Sequence, residues 1–290
     1  MTALAGFLFV VIAIVGGYLL EHGNLLVLLQ PAEFLIIGGA ALGTTVAANP
    51  PSVLRGILQG VLGIVKGSRI TKELYLDTLR MLNDLFNYAR KNGLAKLEQD
   101  VEEPAKSPVL SKYPALMNNP AALNFLCDTL RIMITGGISN HDLDQLMETD
   151  LEVHHHGKTQ PATALTTVAD SLPGLGIVAA VLGIVITMGA MGGPPEQIGH
   201  KVAAALVGTF LGVLMCYGFV SPLAAHMGKL SDAESQYYQV LRAGLLAFAK
   251  GLPPLLATEF ARRSIPAHLR PSFQQMEAAF RSARAAGVQT

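Results

Sequence analysis

Four long runs of this sequence contain no Asp, Glu, Lys, Arg or His, and they limit the possible folds more than any other feature. The runs are Met1–Leu20, Phe34–Ala48, Leu172–Met191 and Val202–Ala225. A helix needs about 20 apolar residues to cross the hydrocarbon core of a bilayer. The second run is shorter, so it must tilt or pack against its neighbours to span. The sequence therefore predicts four transmembrane helices.

Charged residues make up only 14% of the 290 residues, whereas soluble domains usually contain about 25%. They are concentrated in Ser68–Lys112, between the second and third runs. The formal net charge is +0, which gives no indication of nucleic-acid binding. No segment has the alternating pattern of a strand. We therefore expect an all-α membrane protein with four transmembrane helices and a helical cytoplasmic domain.

Basic residues near the ends of the spans indicate their orientation. The connection Glu21–Glu33 has no Lys or Arg, and Gly192–Lys201 has only Lys201. The basic residues that follow the second and fourth spans are Arg55, Lys66, Arg69, Lys72, Lys229 and Arg242. Because basic residues collect on the cytoplasmic side, both termini are expected there. The chain is thus predicted to be a multi-pass protein of the bacterial inner membrane whose two short loops face outward.

This topology divides the chain into four regions. They are transmembrane helices 1 and 2 (1–50), a cytoplasmic helical domain (51–170), transmembrane helices 3 and 4 (171–226), and a cytoplasmic C-terminal helix and tail (227–290). Apolar spacing predicts that Val53–Val65 forms an amphipathic interfacial helix or extends the second span, and it predicts a helix over Thr71–Gln99. Breaks are expected at Gly136-Gly137 and, after the fourth span, at Pro253-Pro254.

The spans as drawn contain no ionisable side chain, although such groups usually mark ion pathways and proton relays in membranes. Two interpretations remain open. Either the chain transports nothing, or a partner helix supplies the titrating group.

Small residues recur every three or four positions in the third and fourth spans. They are Gly176, Ala180, Gly183 and Thr187 in the third span, and Ala204, Gly208 and Gly212, beside Thr209, in the fourth. Such stripes let helices approach closely. Ordinary helix packing explains them, and so does a narrow path in which Thr187 or Thr209 offers a hydroxyl to water or to an ion.

Two prolines stand at the predicted cytoplasmic ends of the same spans. Pro173 opens the third span and Pro222 closes the fourth. Because proline is tolerated in the first turn of a helix and terminates a helix near its end, both are interpreted as caps, with a hinge as the alternative. Asp170 lies just before Pro173, where it suits an N-cap and is favoured by the helix dipole.

Several segments resemble the MotA-type stator proteins of the bacterial flagellar motor. The matching segments are DSLPGLGIVAA (170–180), VGTFLG (207–212), YGFVSPL (217–223), QPAE (30–33), LEQDVE (97–102) and RPSF (270–273). The third-span motif is shared in outline with the proton-channel energisers TolQ and ExbB, whereas the cytoplasmic and C-terminal segments are specific to the MotA type. The resemblance covers nearly the whole chain.

The resemblance implies a homo-pentamer of such chains around two MotB-type chains, whose single spans carry a proton-accepting Asp. That Asp would be the titrating group absent from the spans drawn here. The resemblance also implies that Pro173 and Pro222, with Asp170 beside the first, couple protonation to conformational change. Ala180 and Thr209 match the proton-type pattern of the ion pathway.

In the cytoplasmic domain, Arg90 and Glu98 match the charged pair that engages oppositely charged residues of the rotor protein FliG. Without the resemblance they would be interpreted as part of solvated helix faces. Gln99 departs from the family pattern, since a basic residue is common at that position. The resemblance therefore implies membrane lipid, a MotB-type subunit and FliG as partners.

Other functions remain as alternatives. A TolQ- or ExbB-type energiser would act on an outer-membrane partner, and a passive scaffold would couple nothing. An enzyme is not expected, because the chain lacks the phosphate-binding G-x-x-x-x-G-K-[ST], H-E-x-x-H and G-x-S-x-G motifs. The adjacent His154, His155 and His156 lack the spacing of a metal site and are predicted to lie in a solvated loop. No metal or cofactor is expected, and Cys127 and Cys216 are expected to be unpaired.

Overall fold

The computed structural model describes residues 2–67, 70–189, 192 and 194–287. The α-helices are α1 (Thr2–Leu20), α2 (Leu25–Leu28), α3 (Pro31–Ala48), α4 (Pro51–Lys66), α5 (Lys72–Asn92), α6 (Leu97–Glu102), α7 (Pro114–Met117), α8 (Pro120–Thr135), α9 (Asn140–Met188), α10 (Pro195–Leu214), α11 (Ser221–Ala249), α12 (Pro254–Ser264) and α13 (Phe273–Gly287). Short 3₁₀ turns occupy Leu94–Lys96, Pro104–Lys106 and Leu110–Lys112, and a π-helical segment occupies Met215–Val220. Because these residues contain no strand, the all-α prediction is confirmed.

Four helical regions are long and apolar enough to cross a membrane, which confirms the predicted number of spans. They are Ala3–Leu20, Leu25–Ala48, and the apolar parts of Asn140–Met188 and Pro195–Ala249. Large apolar side chains on α1 are exposed, including Phe9 at 72%, and such a surface is suited to lipid rather than water. Met1, Met191 and Arg69, which entered the predictions of spans and orientation, lie outside the described residues.

The chain forms two compact units. The first contains residues 1–67 and 157–231, and the second contains residues 68–156 and 232–290. The predicted domain ranges are instead drawn at the expected membrane boundaries, and those ranges remain predictions. In the first unit, α4 packs on neighbours from later in the chain, because Gly56 lies against Pro161 and Gly60 against Met227. This packing places α4 in the same unit as the spans, rather than in the second unit.

In the second unit, apolar faces of α5 and α11 form the centre of a helical core. Phe86 stacks on Phe248 with ring centroids 4.3 Å apart, and the hydroxyl of Thr78 hydrogen bonds that of Tyr237 at 3.0 Å. The start of α5 is capped by Thr71, whose side chain accepts a hydrogen bond from the backbone N–H of Leu74. The second unit therefore has an apolar core of its own.

Glycines and prolines end several helices as predicted. Gly136 and Gly137, with φ of 72° and 80°, separate α8 from α9, and Pro253 precedes α12. The helix predicted over Thr71–Gln99 is shorter than expected, because Gly93 ends α5 with a φ of 84°. Only glycine adopts such backbone angles at low cost.

The expectation that Pro173 and Pro222 cap their spans is wrong. Pro173 lies inside α9, which has already begun at Asn140, so Asp170 is an interior residue and does not cap this helix. Pro222 is the second residue of α11, directly after the π-helical segment, and the helix continues to Ala249. Both prolines remove a backbone donor from a helix interior, which weakens the helix at that point.

Candidate ion pathway and coupling site

Glycines bring the third and fourth spans into backbone contact. A Cβ atom on Gly176 would lie 2.8 Å from the carbonyl oxygen of Gly208, and one on Gly212 would lie 2.6 Å from the carbonyl oxygen of Leu172. Real Cβ atoms do not approach other atoms so closely, so only glycine allows α9 and α10 to pack in this way. The small-residue stripes therefore serve helix packing.

The residues predicted for the ion pathway lie along this contact. Ala180 is 8% exposed, and a Cβ on Gly208 would lie 3.1 Å from its backbone nitrogen. Thr209 follows Gly208 and is half-buried. Thr187 is about two turns further along α9, and its hydroxyl donates to the carbonyl of Gly183 at 2.8 Å. Gly208 thus packs against Ala180, Thr209 is the next residue of α10, and the hydroxyl proton of Thr187 is donated within its own helix.

A carboxyl group also lies at this contact. Glu33 in the first turn of α3 is only 6% exposed, and its Oε2 has no hydrogen-bond partner among the described residues. A Cβ atom on Gly208 would lie 2.6 Å from that oxygen. The apolar helical region Leu25–Ala48 includes Glu33, so this region contains an ionisable side chain that lies just outside the charge-free run Phe34–Ala48.

The sequence already indicated that Glu33 belongs to a helix, but the predicted start of the second span excluded it. The second span was drawn from Phe34, where charge-free sequence begins, and Glu33 was assigned to an outward loop. However, Pro31 occupies the first position of α3, as proline prefers. A helix that begins at Pro31 necessarily contains Glu33. Its burial against Gly208 depends on the packing of α3 with α10, which the sequence does not specify.

A backbone contact between α9 and α10 lies between the two prolines of the site. The carbonyl of Leu172, just before Pro173, packs against Gly212 of α10. The π-helical segment begins shortly after Gly212, and Pro222 follows that segment. Wide helical turns of this kind are frequent at functional sites. The residue before Pro173 thus contacts α10 just ahead of the segment that leads to Pro222.

Arg90 and Glu98 lie in the second compact unit, on either side of the turn that joins α5 to α6. Both side chains are exposed, and neither forms an ion pair within the ranges that the structure describes. Arg90 is in the last turn of α5 and Glu98 in the first turn of α6, positions that the helix dipoles favour for a cation and an anion. Both charges are available to a partner.

The histidine cluster is not a loop, contrary to the prediction. His154, His155 and His156 lie within α9, because neither glycine nor proline interrupts the sequence between Asn140 and His156. The Nε2 of His154 is 3.6 Å from a carboxylate oxygen of Glu234. No group of three His, Cys, Asp or Glu residues that could hold a metal occurs in the described part of the chain.

Both cysteines are free and buried. Burial raises the pKa of the Cys127 thiol to about 11, so this group is protonated and unreactive at neutral pH. The expectation of unpaired cysteines is confirmed.

The four spans, the glycine contact and the buried carboxyl together define a polytopic helical membrane protein with a polar group between its packed spans. Comparisons with known proteins identify the family within this class. The family model "Motility protein A N-terminal" matches residues 4–93, and the model of the MotA/TolQ/ExbB proton channel family matches residues 119–240.

Full-length relatives agree with these family models. The chain is 36% identical to Motility protein A of Salmonella typhimurium, over 98% of this chain and 96% of the relative. It is 37% identical to Motility protein A of Escherichia coli, over 100% and 98%, and 38% identical to Chemotaxis protein LafT of Vibrio parahaemolyticus, over 96% and 97%. The chain therefore belongs to the Motility protein A family.

Solved structures show the same fold. The structure of C. jejuni MotAB matches with a TM-score of 0.76 at 18% identity, over 94% of this chain and 98% of that chain. The flagellar MotAB stator complex from Bacillus subtilis matches with a TM-score of 0.72 at 23% identity, over 92% and 96%. The resemblance found in the sequence is confirmed, and the chain is a membrane-embedded flagellar stator subunit. The TolQ/ExbB alternative is not better supported.

Proposed function

We propose that this chain couples proton flow through a complex with a MotB-type partner to torque on the flagellar rotor. The observation that carries the proposal is the identity of 36–38% to motility proteins over nearly the full length of the chain. The relatives are motor and proton-channel proteins, and no enzymatic activity is proposed. The complex contains five copies of this chain in the lipid of the inner membrane, and both termini of each copy are cytoplasmic.

The partner supplies the Asp that accepts the proton in the membrane. Ala180 and Thr209 line the path next to it; Ala180 packs against Gly208 of α10, and Thr209 is the residue that follows Gly208. The oxygen of the Thr187 hydroxyl can still accept a hydrogen bond from water, although the hydroxyl donates its proton to the carbonyl of Gly183. The transmembrane potential supplies about 2.3 kcal/mol for each proton that crosses 100 mV.

Pro173 and Pro222 convert this energy into movement of the helices. Each proline lies within a helix that continues on both sides of it. A proline in that position weakens the helix locally and concentrates bending there. Asp170, one turn before Pro173, is exposed and is positioned to respond to the charge of the partner's Asp.

Arg90 and Glu98 contact the rotor protein FliG. An exposed ion pair contributes only about 0.2–1 kcal/mol, which is less than the energy that one proton supplies. Contacts of this strength can form and dissociate in each step, whereas a buried ion pair would hold the rotor in place. The exposure of both residues supports this assignment.

Replacement of Pro173 tests the coupling. In a strain that lacks its own stator chain, we expect Pro173→Ala to abolish swimming, because the restored hydrogen bond stiffens α9 where it must bend. Immunoblots of membranes should show an unchanged amount of protein. Pro161→Ala is the matched control, since Pro161 lies inside the same helix, and it should swim like the parent. Normal swimming of Pro173→Ala would contradict the proposal.

A further inference from the structure

We propose that Glu33 is an accessory proton-binding group of the ion pathway, which this chain itself contributes beside the partner's Asp. The inference rests on the proposed function, because it requires a complex that conducts protons. Glu33 receives protons on the outward side of the pathway and speeds their transfer, while conduction continues more slowly without it.

The burial of Glu33 is the first argument. Its side chain is 6% exposed, and Oε2 has no hydrogen-bond partner among the described residues. An ionised carboxylate is very costly to place in apolar surroundings without a partner. Glu33 must therefore carry a proton for at least part of the time, or interact with a group outside this chain.

The position of Glu33 in its helix is the second argument. Glu33 lies in the first turn of α3, where the free backbone N–H groups favour a negative charge. Burial favours the neutral form and the helix terminus favours the ionised form. A group subject to these opposing effects can both accept and release a proton, as a relay requires.

The contact with Gly208 is the third argument, since it places the carboxyl on the predicted pathway. A Cβ atom on Gly208 would lie 2.6 Å from Oε2 and 3.1 Å from the backbone nitrogen of Ala180. Only glycine leaves the space that the carboxyl group occupies between α3 and α10. Ala180, which is assigned to the pathway, is therefore an immediate neighbour of this contact, and Thr209 directly follows Gly208 in α10.

A purely structural role as a helix cap does not account for Glu33. A glutamate in this position of a helix often bonds back to the backbone of the capping residue. Here Gln30 is the capping residue, and its backbone N–H donates to the carbonyl of Leu28 at 3.2 Å instead. The carboxyl is instead directed at α10, which is the arrangement of a group that interacts within the spans.

Bead-rotation measurements of single motors test the inference. The strain expresses its own MotB-type partner together with the Glu33→Gln variant of this chain. Glutamine keeps the size of the side chain but cannot release a proton. At low load, where proton transfer limits the speed, we expect rotation to slow by about fivefold, since water can still deliver protons without the relay. At high load the torque should match the parent. A loss of assembled complexes would instead lower the torque at high load.

Two further variants complete the experiment. Glu21→Gln is the matched control, because Glu21 is an exposed carboxylate in the outward connection, and it should rotate like the parent. Glu33→Asp keeps a carboxyl group and should recover at least half of the speed lost in Glu33→Gln. The inference is overturned if Glu33→Gln rotates like the parent at low load, or if Glu33→Asp assembles but is no faster than Glu33→Gln.

The experiment separates this inference from the proposed function. If the parent chain does not restore rotation at all, the proposed function fails. If the parent rotates and Glu33→Gln rotates equally fast, only the role of Glu33 fails. If both Glu33 variants lower the torque at high load, Glu33 is structural and the inference is wrong.

Discussion

The surroundings of Glu259 in α12 strongly change the pKa of its carboxyl group. Its carboxylate accepts hydrogen bonds from Arg262 at 2.7 Å and from Arg263 at 2.8 Å. The hydrogen bond from Arg262, supported by that from Arg263, lowers the pKa of Glu259 to about 2. The pKa is lower in the folded protein than in the unfolded chain, so the stabilisation is present above the unfolded value of 4.5 and is lost as the pH falls towards 2.

Glu259→Gln should therefore destabilise the protein by about 1–2 kcal/mol at neutral pH, with a smaller difference from the parent as the pH approaches 2. Thermal unfolding of the detergent-solubilised protein, followed by circular dichroism, measures this difference. Glu277→Gln is the control, because Glu277 pairs with Arg281 at an exposed site and contributes little. An equal difference from the parent at about pH 5 and about pH 2 would contradict the assignment.

Glu33 is a buried and Glu259 a half-buried carboxyl group in a helix, and their surroundings differ. Glu259 has two guanidinium partners, so it is held in one charged state. The Oε2 of Glu33 has no partner within the described residues, so a change in protonation is the expected response to its environment. Residue type alone does not distinguish a structural carboxylate from a functional one.

At the scale of the helices, the contact between α9 and α10 depends on a few glycines. Gly212 lies so close to α9 that an added Cβ would be 2.6 Å from the carbonyl of Leu172 and 2.8 Å from the Cα of Gly176. These are backbone atoms, which cannot move aside as a flexible side chain can. The packing of this helix pair is therefore sensitive to a single methyl group.

Gly212→Ala should separate α9 from α10, at a cost of about 1–3 kcal/mol, and should reduce both swimming and the thermal stability of the purified protein. Gly199→Ala provides the matched control, because Gly199 is in the same helix and an added Cβ meets nothing within 4 Å. The close contact would be unimportant if both variants unfolded at the same temperature and swam like the parent.

At the scale of the whole molecule, the division into two compact units separates the spans from the unit that carries Arg90 and Glu98. The charges that are proposed to contact the rotor thus belong to a unit with its own apolar core. The core keeps α5 and α6 ordered, so the exposed charges at the turn between them have a defined position.

Single neutralisation, by Arg90→Ala or by Glu98→Gln, should slow swimming only slightly, because each exposed contact is worth about 0.2–1 kcal/mol. The double variant should impair swimming much more strongly while its level in the membrane is unchanged. Tracking of swimming cells checks both expectations. Lys106→Ala is the control, since Lys106 is an exposed cation of the same unit. A double variant with normal swimming speed would exclude these charges from the rotor contact.

Much of the fold could be predicted from the sequence because its determinants are local. The four spans follow from the length of uncharged sequence, and the end of α8 follows from Gly136, which adopts a positive φ. The family resemblance depends on motifs that are continuous in the chain. Each of these features requires knowledge of only a short segment and of its physical preferences.

Only the tertiary structure decided the rest. Pro173 was expected to begin a helix, but α9 starts at Asn140 and includes it, since packing on both sides of a proline can preserve a helix that local preference would end. Glu33 was assigned to a loop, but the glycine at position 208 leaves room for its carboxyl between α3 and α10. The sequence by itself determined which segments span the membrane, whereas the approach of distant helices decided which side chains meet between them. That approach depends on contacts between residues far apart in the chain, which no local pattern encodes.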